Sequence, residues 1–400
     1  MTTRRSGPPV LSAPDAKPVL TVSPTLHGTA PSQQLPVQAP PTIRRTDFQL
    51  RPFLERSNAI AAWQVFNTLG PFTLLWVAAA WCLEHQPLLV PPVLALQVLF
   101  LARCFSLMHD CGHDSLFRNR LANRWVAFLL GVVAGIPQLP WSRGHAFHHR
   151  HNGDWQKYQG PSALISTDAF AQLSPAGKRL YGLVRHPLML FPGGFFYLVI
   201  KPRLALLLGL RDLLPWLIAQ LQTDPSADLL ALLRRHRSRH WHSAAEAVDL
   251  FWNNVMVLSF WLLMGSQLGV GSFWSLYAPL MTCGAAVFIC VFFVQHNFPD
   301  AYAHRSDGWS AMAGVLEGTS DLNLPPLLNW FTADIGCHAI HHLCEAIPNY
   351  RLRACQERNA ALLQGVRRLS LADIHSCFAF ILWDPAAGRL TTIAAQAGVS

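Results

Sequence analysis

Four stretches of this chain are apolar over enough residues to cross a bilayer, and no other feature limits its fold as strongly. A hydrocarbon core of about 30 Å takes about 20 helical residues, because in lipid each backbone N–H and C=O must be satisfied within its own segment. The stretches cover residues 59–83, 88–108, 247–268 and 274–294 and form two hairpins. The tip of the first, Glu84-His85-Gln86-Pro87, and that of the second, Gly269 to Phe273, carry no Lys or Arg. Arg44, Arg45, Arg51 and Arg56 precede the first span, and Arg118, Arg120, Arg124, Lys157, Lys178, Arg179 and Arg185 lie between the hairpins. Positive charge stays on the cytosolic side, so both tips are expected outside and both termini in the cytosol. The expected fold is all-α and integral to the membrane: four transmembrane helices in two hairpins, interfacial helices, and a cytosolic helical cap.

Shorter apolar stretches get a different reading. Residues 125–139 end between Pro137 and Pro140, and residues 188–200 are interrupted by Pro192-Gly193-Gly194, so both are expected to be interfacial or re-entrant. Residues 204–221, with Arg211 and Asp212 on one side, read as an amphipathic helix along the same surface. The first 47 residues contain no aromatic residue and nine prolines, a composition that cannot bury enough surface to order itself, and are expected to be a disordered tail. Arg4 and Arg5 run into Gly7-Pro8-Pro9 and not into an apolar segment, so no secretory signal is expected. This leaves a membrane domain at 48–385 and a C-terminal tail at 386–400.

Net charge is +9 with only 13% of residues charged, which suits a basic face turned to anionic lipid or an acidic partner. Nucleic acid is excluded as a partner, since the basic residues are scattered between the spans and form no stripe. The nine cysteines are odd in number and include no C-x-x-C pair, so they read as reduced thiols.

The 18 histidines are not scattered. His109 and His113 follow the second span at i,i+4 spacing, which puts both imidazoles on one helix face. His145-x-x-His148-His149 and His338-x-x-His341-His342 repeat one pattern, which composition alone would produce about 0.04 times in such a chain. Dense neutral imidazole points to a transition metal. Eight clustered histidines exceed one ion's needs, whereas two six-coordinate irons, each with a position open for oxygen, could use all eight and one more. His296, one turn past the fourth span, is the ninth candidate.

Together these residues carry a resemblance. The box His109-Asp110-Cys111-Gly112-His113, the frame Trp141-x-Arg143-x-His145-x-x-His148-His149 followed by Gly153-Asp154, and the box at His338 resemble those of membrane fatty acid desaturases of the bacterial and cyanobacterial acyl-lipid type, the branch holding Δ12 (omega-6) enzymes. So do Val294-Gln295-His296-x-Phe298, Leu316-Glu317-Gly318-Thr319-Ser320, Asn329-Trp330-Phe331-Thr332, Ile347-Pro348-Asn349-Tyr350 and Leu382-Trp383-Asp384. The resemblance covers residues 50–385. It implies a non-haem di-iron centre on His109, His113, His145, His148, His149, His296, His338, His341 and His342. It further implies O2 as co-substrate and insertion of a cis double bond into a lipid-linked fatty acyl chain, with Δ12 as the expected position. The two electrons would come from a separate ferredoxin-like or cytochrome b5-like protein, and the membrane would be the bacterial inner membrane with the site on its cytosolic side. No His-Pro-Gly-Gly signature of a fused cytochrome b5 domain occurs, Phe191-Pro192-Gly193-Gly194 lacking the histidine.

Asp110, Asp154, Asp334 and His151 are the candidates for orienting ligand imidazoles from behind. Residues 204–246 exceed the family's usual connection and include the basic run Arg234 to Arg239, read as a membrane-surface face. Three other functions could be read from the same histidines. A di-iron acyl hydroxylase or acetylenase would use the same ligands. A zinc protease fails because position 110 is Asp and not a Glu general base. A metal-binding membrane protein without catalysis would leave nine intact ligand positions without a task.

Overall fold

The computed structural model describes residues 43–161 and 163–397. The expected N-terminal tail lies outside the described residues up to position 42, as do residues 398–400 of the C-terminal one.

Helix α1, Asn58–His85, starts where the Ser57 hydroxyl accepts from the Ile60 amide at 3.4 Å, capping an otherwise unsatisfied N–H, and ends before Pro87. Helix α2, Val90–Gly112, returns beside it. Helix α3 covers Arg120–Ala134 and α4 Gln138–His151, a pair bent by 100°. The bend is set by Gly135 at φ +72°, where the Ile136 amide reaches back to the Gly131 carbonyl at 2.7 Å and closes α3 as a left-handed C-cap. Buried Asp249 then accepts from the Leu139 amide at 2.9 Å at the positive end of α4, and Glu246 pairs with Arg143 at 3.0 Å. Two carboxylates from a later helix thus fix the direction of the one that carries His145, His148 and His149.

The two expected hairpins are present, the second made of α6, Ala244–Leu268, and α7, Val270–Val294. Between them stands a helical run that joins the stretches 188–200 and 204–221, expected as separate pieces. Residues 187–223 form one apolar helical run, whose main part is α5, Lys201–Thr223. Neither Pro192 nor Pro202 breaks it. Pro192 sits in the first turn of the segment Leu190–Phe195, where no helical N–H is needed. Pro202 cannot bond the Leu198 carbonyl, the backbone widens to a π turn over Phe196–Ile200, and the Arg203 guanidinium donates to that carbonyl instead at 2.8 Å. Five helices among the described residues are therefore long and apolar enough to cross a bilayer, or six if the bent pair is one span, in place of the expected four.

Trp76, Leu101, Phe105, Leu107, Met108, Leu130, Phe273, Tyr277 and Phe288 pack into one core between α1, α2, α3 and α7. The opposite faces remain apolar: Leu74 is 69% exposed and Leu262 76%. Soluble proteins do not present such continuous apolar faces to water, so these are the lipid-facing sides.

The cap is not purely helical as expected. Strands β1 (Ile165–Ser166), β4 (Phe380–Asp384) and β5 (Arg389–Thr392) form one small sheet, parallel then antiparallel, and β2 (Ser320–Leu322) pairs in parallel with β3 (Arg367–Leu369). Residues 389–397, expected as part of a tail, supply β5 and a terminal turn of helix. Trp383 locks the sheet by stacking on Trp155 at 4.5 Å and donating to the Ala303 carbonyl at 2.7 Å. Short helices α8, His338–Leu343, and α9, Asn349–Arg358, complete the cap.

Candidate metal centre

Each histidine box sits in the last turns of a helix, just beyond one, or along the short helix α8. His109 lies in the last turn of α2 with His113 just beyond it, His296 just beyond the end of α7, the second box in the last turns of α4 and the third along α8. All nine imidazoles converge, and they do so in two groups. His109, His113, His145, His149 and His341 each offer a nitrogen within 4.8 Å of the others, as do His148, His296 and His342. His338 joins the second group, its Nε2 standing 3.0 Å from that of His296.

The contacts inside the groups are those of shared ligands and not of hydrogen bonds. His149 Nε2 lies 3.0 Å from His145 Nε2 and 3.1 Å from His341 Nε2. One imidazole nitrogen carries either one proton or one lone pair, so it cannot serve both neighbours; a common cation can. Two nitrogens bound at right angles to one ion at about 2.1 Å stand about 3 Å apart, the separation found here. Moreover Nε2 of His109, His113, His148 and His342 is buried without any hydrogen-bond partner in the protein. Four such atoms in one pocket would be costly unless something else binds them. Burial also holds His338, His341 and His342 well below the usual imidazole range, and His296 down to about 4. They are therefore neutral at pH 7, the form that can bind a metal. The residues present fit two ions of the kind that nitrogen ligands select.

Behind the imidazoles a polar layer fixes their orientation. Asp110 accepts from His109 Nδ1 at 3.1 Å, and its other oxygen is held by the backbone and side-chain amides of Asn349 at 3.0 and 2.9 Å. Of the four orienting candidates named from the sequence, Asp110 alone contacts an imidazole. Asp154 bonds Ser306 and Lys157, Asp334 pairs with Arg353 at 2.8 Å, and His151 lies against Phe147 with ring centres 4.5 Å apart. The sequence reading missed Glu345, whose carboxylate lies 3.2 Å from His113 Nδ1 and 3.7 Å from His149 Nδ1. That hydrogen bond to His113 is the main reason its carboxyl stays below the usual range. It also missed the Gly318 carbonyl, 3.3 Å from His296 Nδ1, and Asp321, which receives the Ala339 amide at 3.1 Å at the start of α8 and is pushed up to about 6 by burial. Gly318 is required, because a Cβ there would stand 2.6 Å from the Gly314 carbonyl oxygen. The available signal was position: Glu345 falls between the third box and Ile347-Pro348-Asn349-Tyr350, and Gly318 inside Leu316 to Ser320.

A cavity of about 620 Å³ reaches both groups, with His145, His148 and His296 in its wall. Its other walls are largely apolar and aromatic, Phe105, Trp141, Tyr197, Phe288 and Phe292 among them. Trp141 stacks on His145 at 4.7 Å and Phe105 on Phe288 at 4.0 Å, so the bore is stiff. Its size is that of a ligand pocket, and its lining suits a hydrocarbon.

Known proteins agree with this geometry. Residues 85–369 match the family model described as fatty acid desaturase. A fatty acid desaturase of Bacillus subtilis (strain 168) is 27% identical over 84% of this chain and 86% of its own length. A probable fatty acid desaturase of Sorghum bicolor is 27% identical over 62% of this chain and 57% of its own. The sn-1 oleoyl-lipid 12-desaturase of Synechocystis is 26% identical over 63% of each chain. Against these last two the chain covers less than two thirds of the relative's length. The match extends over most of the chain and takes in all nine converging histidines, so the protein belongs to the fatty acid desaturase family of oxidoreductases.

Proposed function

We propose that the nine histidines hold two iron ions, five on one and four on the other, and that the protein inserts a cis double bond into a lipid-linked fatty acyl chain. His109, His113, His145, His149 and His341 form one ligand set and His148, His296, His338 and His342 the second. The observation that carries this reading is the pair of imidazole groups, four of whose Nε2 atoms have no hydrogen-bond partner in the protein, beside an aromatic-lined cavity. The iron pair supplies oxygen activation and removal of two hydrogens from adjacent methylenes. The balance is CH2–CH2 plus O2, two electrons and two protons to CH=CH plus two water molecules. The electrons come from a separate donor protein, ferredoxin-like by analogy with a Synechocystis relative, the sn-1 acyl-lipid omega-3 desaturase (ferredoxin), 23% identical over 70% of the chain.

The protein's own share is positioning. Neighbouring methylenes differ little in reactivity, so the double bond falls where the stiff walls of Trp141, Tyr197, Phe288 and Phe292 hold the chain against His145, His148 and His296. Asp110, Glu345 and the Gly318 carbonyl hold the Nδ1 protons of His109, His113 and His296, which would leave the Nε2 lone pairs of these three for an ion. Δ12 insertion, as in the 12-desaturase relative, is the position we assign. The site faces the cytosol of a bacterial inner membrane, in keeping with the Arg-rich segments at that end of the hairpins.

The test is the fatty-acid profile, by gas chromatography with mass spectrometry, of a bacterial host expressing this chain beside its His341→Ala variant, with a ferredoxin supplied. New unsaturated species that vanish in the variant, together with two irons per wild-type chain, support the reading. An unchanged profile from iron-loaded protein, or hydroxylated products, overturns desaturation.

A further inference from the structure

The cavity that reaches the histidines is apolar inside but cationic where it meets the surface. Phe105, His148 and His296 at its inner end are buried, whereas Val184, His186, Lys201 and Arg239 in the same lining are exposed. No Asp or Glu lines it. Arg143 and Arg185 also line it, but Glu246 neutralises the first guanidinium at 3.0 Å, and the second donates to the Ala163 carbonyl at 2.9 Å and lies 3.7 Å from the centre of the Tyr181 ring. Lys201 and Arg239 form no ion pair among the described residues; the Lys201 ammonium lies 4.6 Å from the centre of the Tyr197 ring.

These two cations come from separate elements. Lys201 opens α5, and Arg239 ends the basic run of the long 204–246 connection. That connection, which the desaturase resemblance did not account for, therefore returns to the substrate cavity. Beside the rim Leu183 and Leu188 are 58% and 61% exposed, and Val184, in the rim itself, 50%. An opening flanked by bare apolar side chains lies against lipid and not against bulk water. A molecule entering there brings an acyl chain for the bore and leaves its polar end at Lys201 and Arg239. Two cations with no internal counter-ion select a phosphate oxyanion over an uncharged sugar or glycerol group.

We propose that Lys201 and Arg239 bind the phosphate of an anionic glycerophospholipid whose acyl chain occupies the cavity, and so set head-group preference; this rests on the acyl-chain reading above. The test uses iron-loaded, full-length enzyme with its electron donor and three substrates of matched acyl composition. These are phosphatidylglycerol vesicles, monogalactosyldiacylglycerol vesicles, and the acyl-CoA thioesters. Phosphatidylglycerol is expected to be the preferred substrate. Lys201→Gln with Arg239→Gln should raise its KM about tenfold and collapse its preference over the galactolipid, while Lys201→Arg with Arg239→Lys restores both. Retention of phosphatidylglycerol through purification, read by native mass spectrometry, should fall in the Gln pair and return in the charge-keeping pair.

Equal rates on the charged and neutral lipids, or a preference that survives the Gln pair, overturn the phosphate site and leave desaturation standing. Turnover of the thioester alone overturns it in favour of a soluble phosphate-bearing carrier. If no substrate yields product, the acyl reading fails, and lipid retention in the two variant pairs still decides the phosphate site by itself.

Discussion

Asn349 donates both its backbone and its side-chain N–H to one carboxylate oxygen of Asp110, at 3.0 and 2.9 Å, across 239 positions of sequence. The other Asp110 oxygen meets His109 Nδ1 at 3.1 Å, so the first turn of α9 controls the rotamer of an imidazole at the end of α2. Loss of such a partner lowers metal affinity by about 10- to 100-fold in comparable sites. Asp110→Ala is expected to lose iron to that degree. Asn349→Ala, which leaves the carboxylate in place but less firmly held, should lose less. Iron per chain after graded chelation reads both; equal retention in wild type and Asp110→Ala would refute the arrangement.

Glu345 spans two imidazoles of the five-histidine group. Glu345→Gln keeps an acceptor for the His113 N–H but removes the charge, so its effect on iron affinity should be a few-fold. Glu345→Ala removes both, and its effect should approach that of Asp110→Ala. The readout is iron content with the electronic spectrum of the loaded protein, since a loosened ligand shifts the spectrum while a purely global loss of fold does not.

The buried imidazoles should make the metal-free protein lose stability as pH falls. An exposed histidine of the unfolded chain takes up a proton near pH 6.5, whereas His296 in the fold does so only near 4, because burial disfavours its charge. Between those values the unfolded state binds more protons, so the stability present above pH 6.5 declines until pH 4. For His296 alone the decline is about 3 kcal/mol over that window. His338, His341 and His342 are shifted in the same direction and add to it, whereas Asp321, raised to about 6 by burial, works against it as pH falls towards 4. Thermal unfolding of wild type beside His296→Asn at constant ionic strength should show the variant's midpoint falling less steeply between pH 6.5 and 4. Equal slopes in the two would contradict a neutral, buried His296.

Gly135 carries the bend that turns the second histidine box under the membrane layer. Its φ of +72° disfavours any side chain, and a Cβ there would stand 2.8 Å from the Leu198 carbonyl oxygen. Gly135→Ala is expected to destabilise the protein by about 1–3 kcal/mol. It should also lower iron content, since α4 carries three of the nine histidines. A melt in detergent micelles with iron determination on the same sample tests both effects; an unchanged melt would place the bend elsewhere.

The sequence by itself determined the hairpins and the histidines. A bilayer demands about 20 apolar residues per span, and that demand is written locally in α1, α2, α6 and α7. Imidazoles at i,i+3 and i,i+4 share a helix face whatever else the chain does, so the boxes were legible before their neighbours were known. The run at 187–223 was not legible, because Pro192-Gly193-Gly194 reads as a break until the first-turn position of Pro192 removes its cost, and the letters do not show that Arg203 takes the carbonyl that Pro202 cannot bond. Nor was the orienting layer, because Asp110, Asp154 and Asp334 look alike as letters. Tertiary structure alone decided that Asn349 would hold one of them against His109, that Lys157 and Arg353 would take the other two, and that Glu345 would stand behind His113. A hydrogen bond depends on distance and angle between groups far apart in sequence, and that information appears only once the helices are packed.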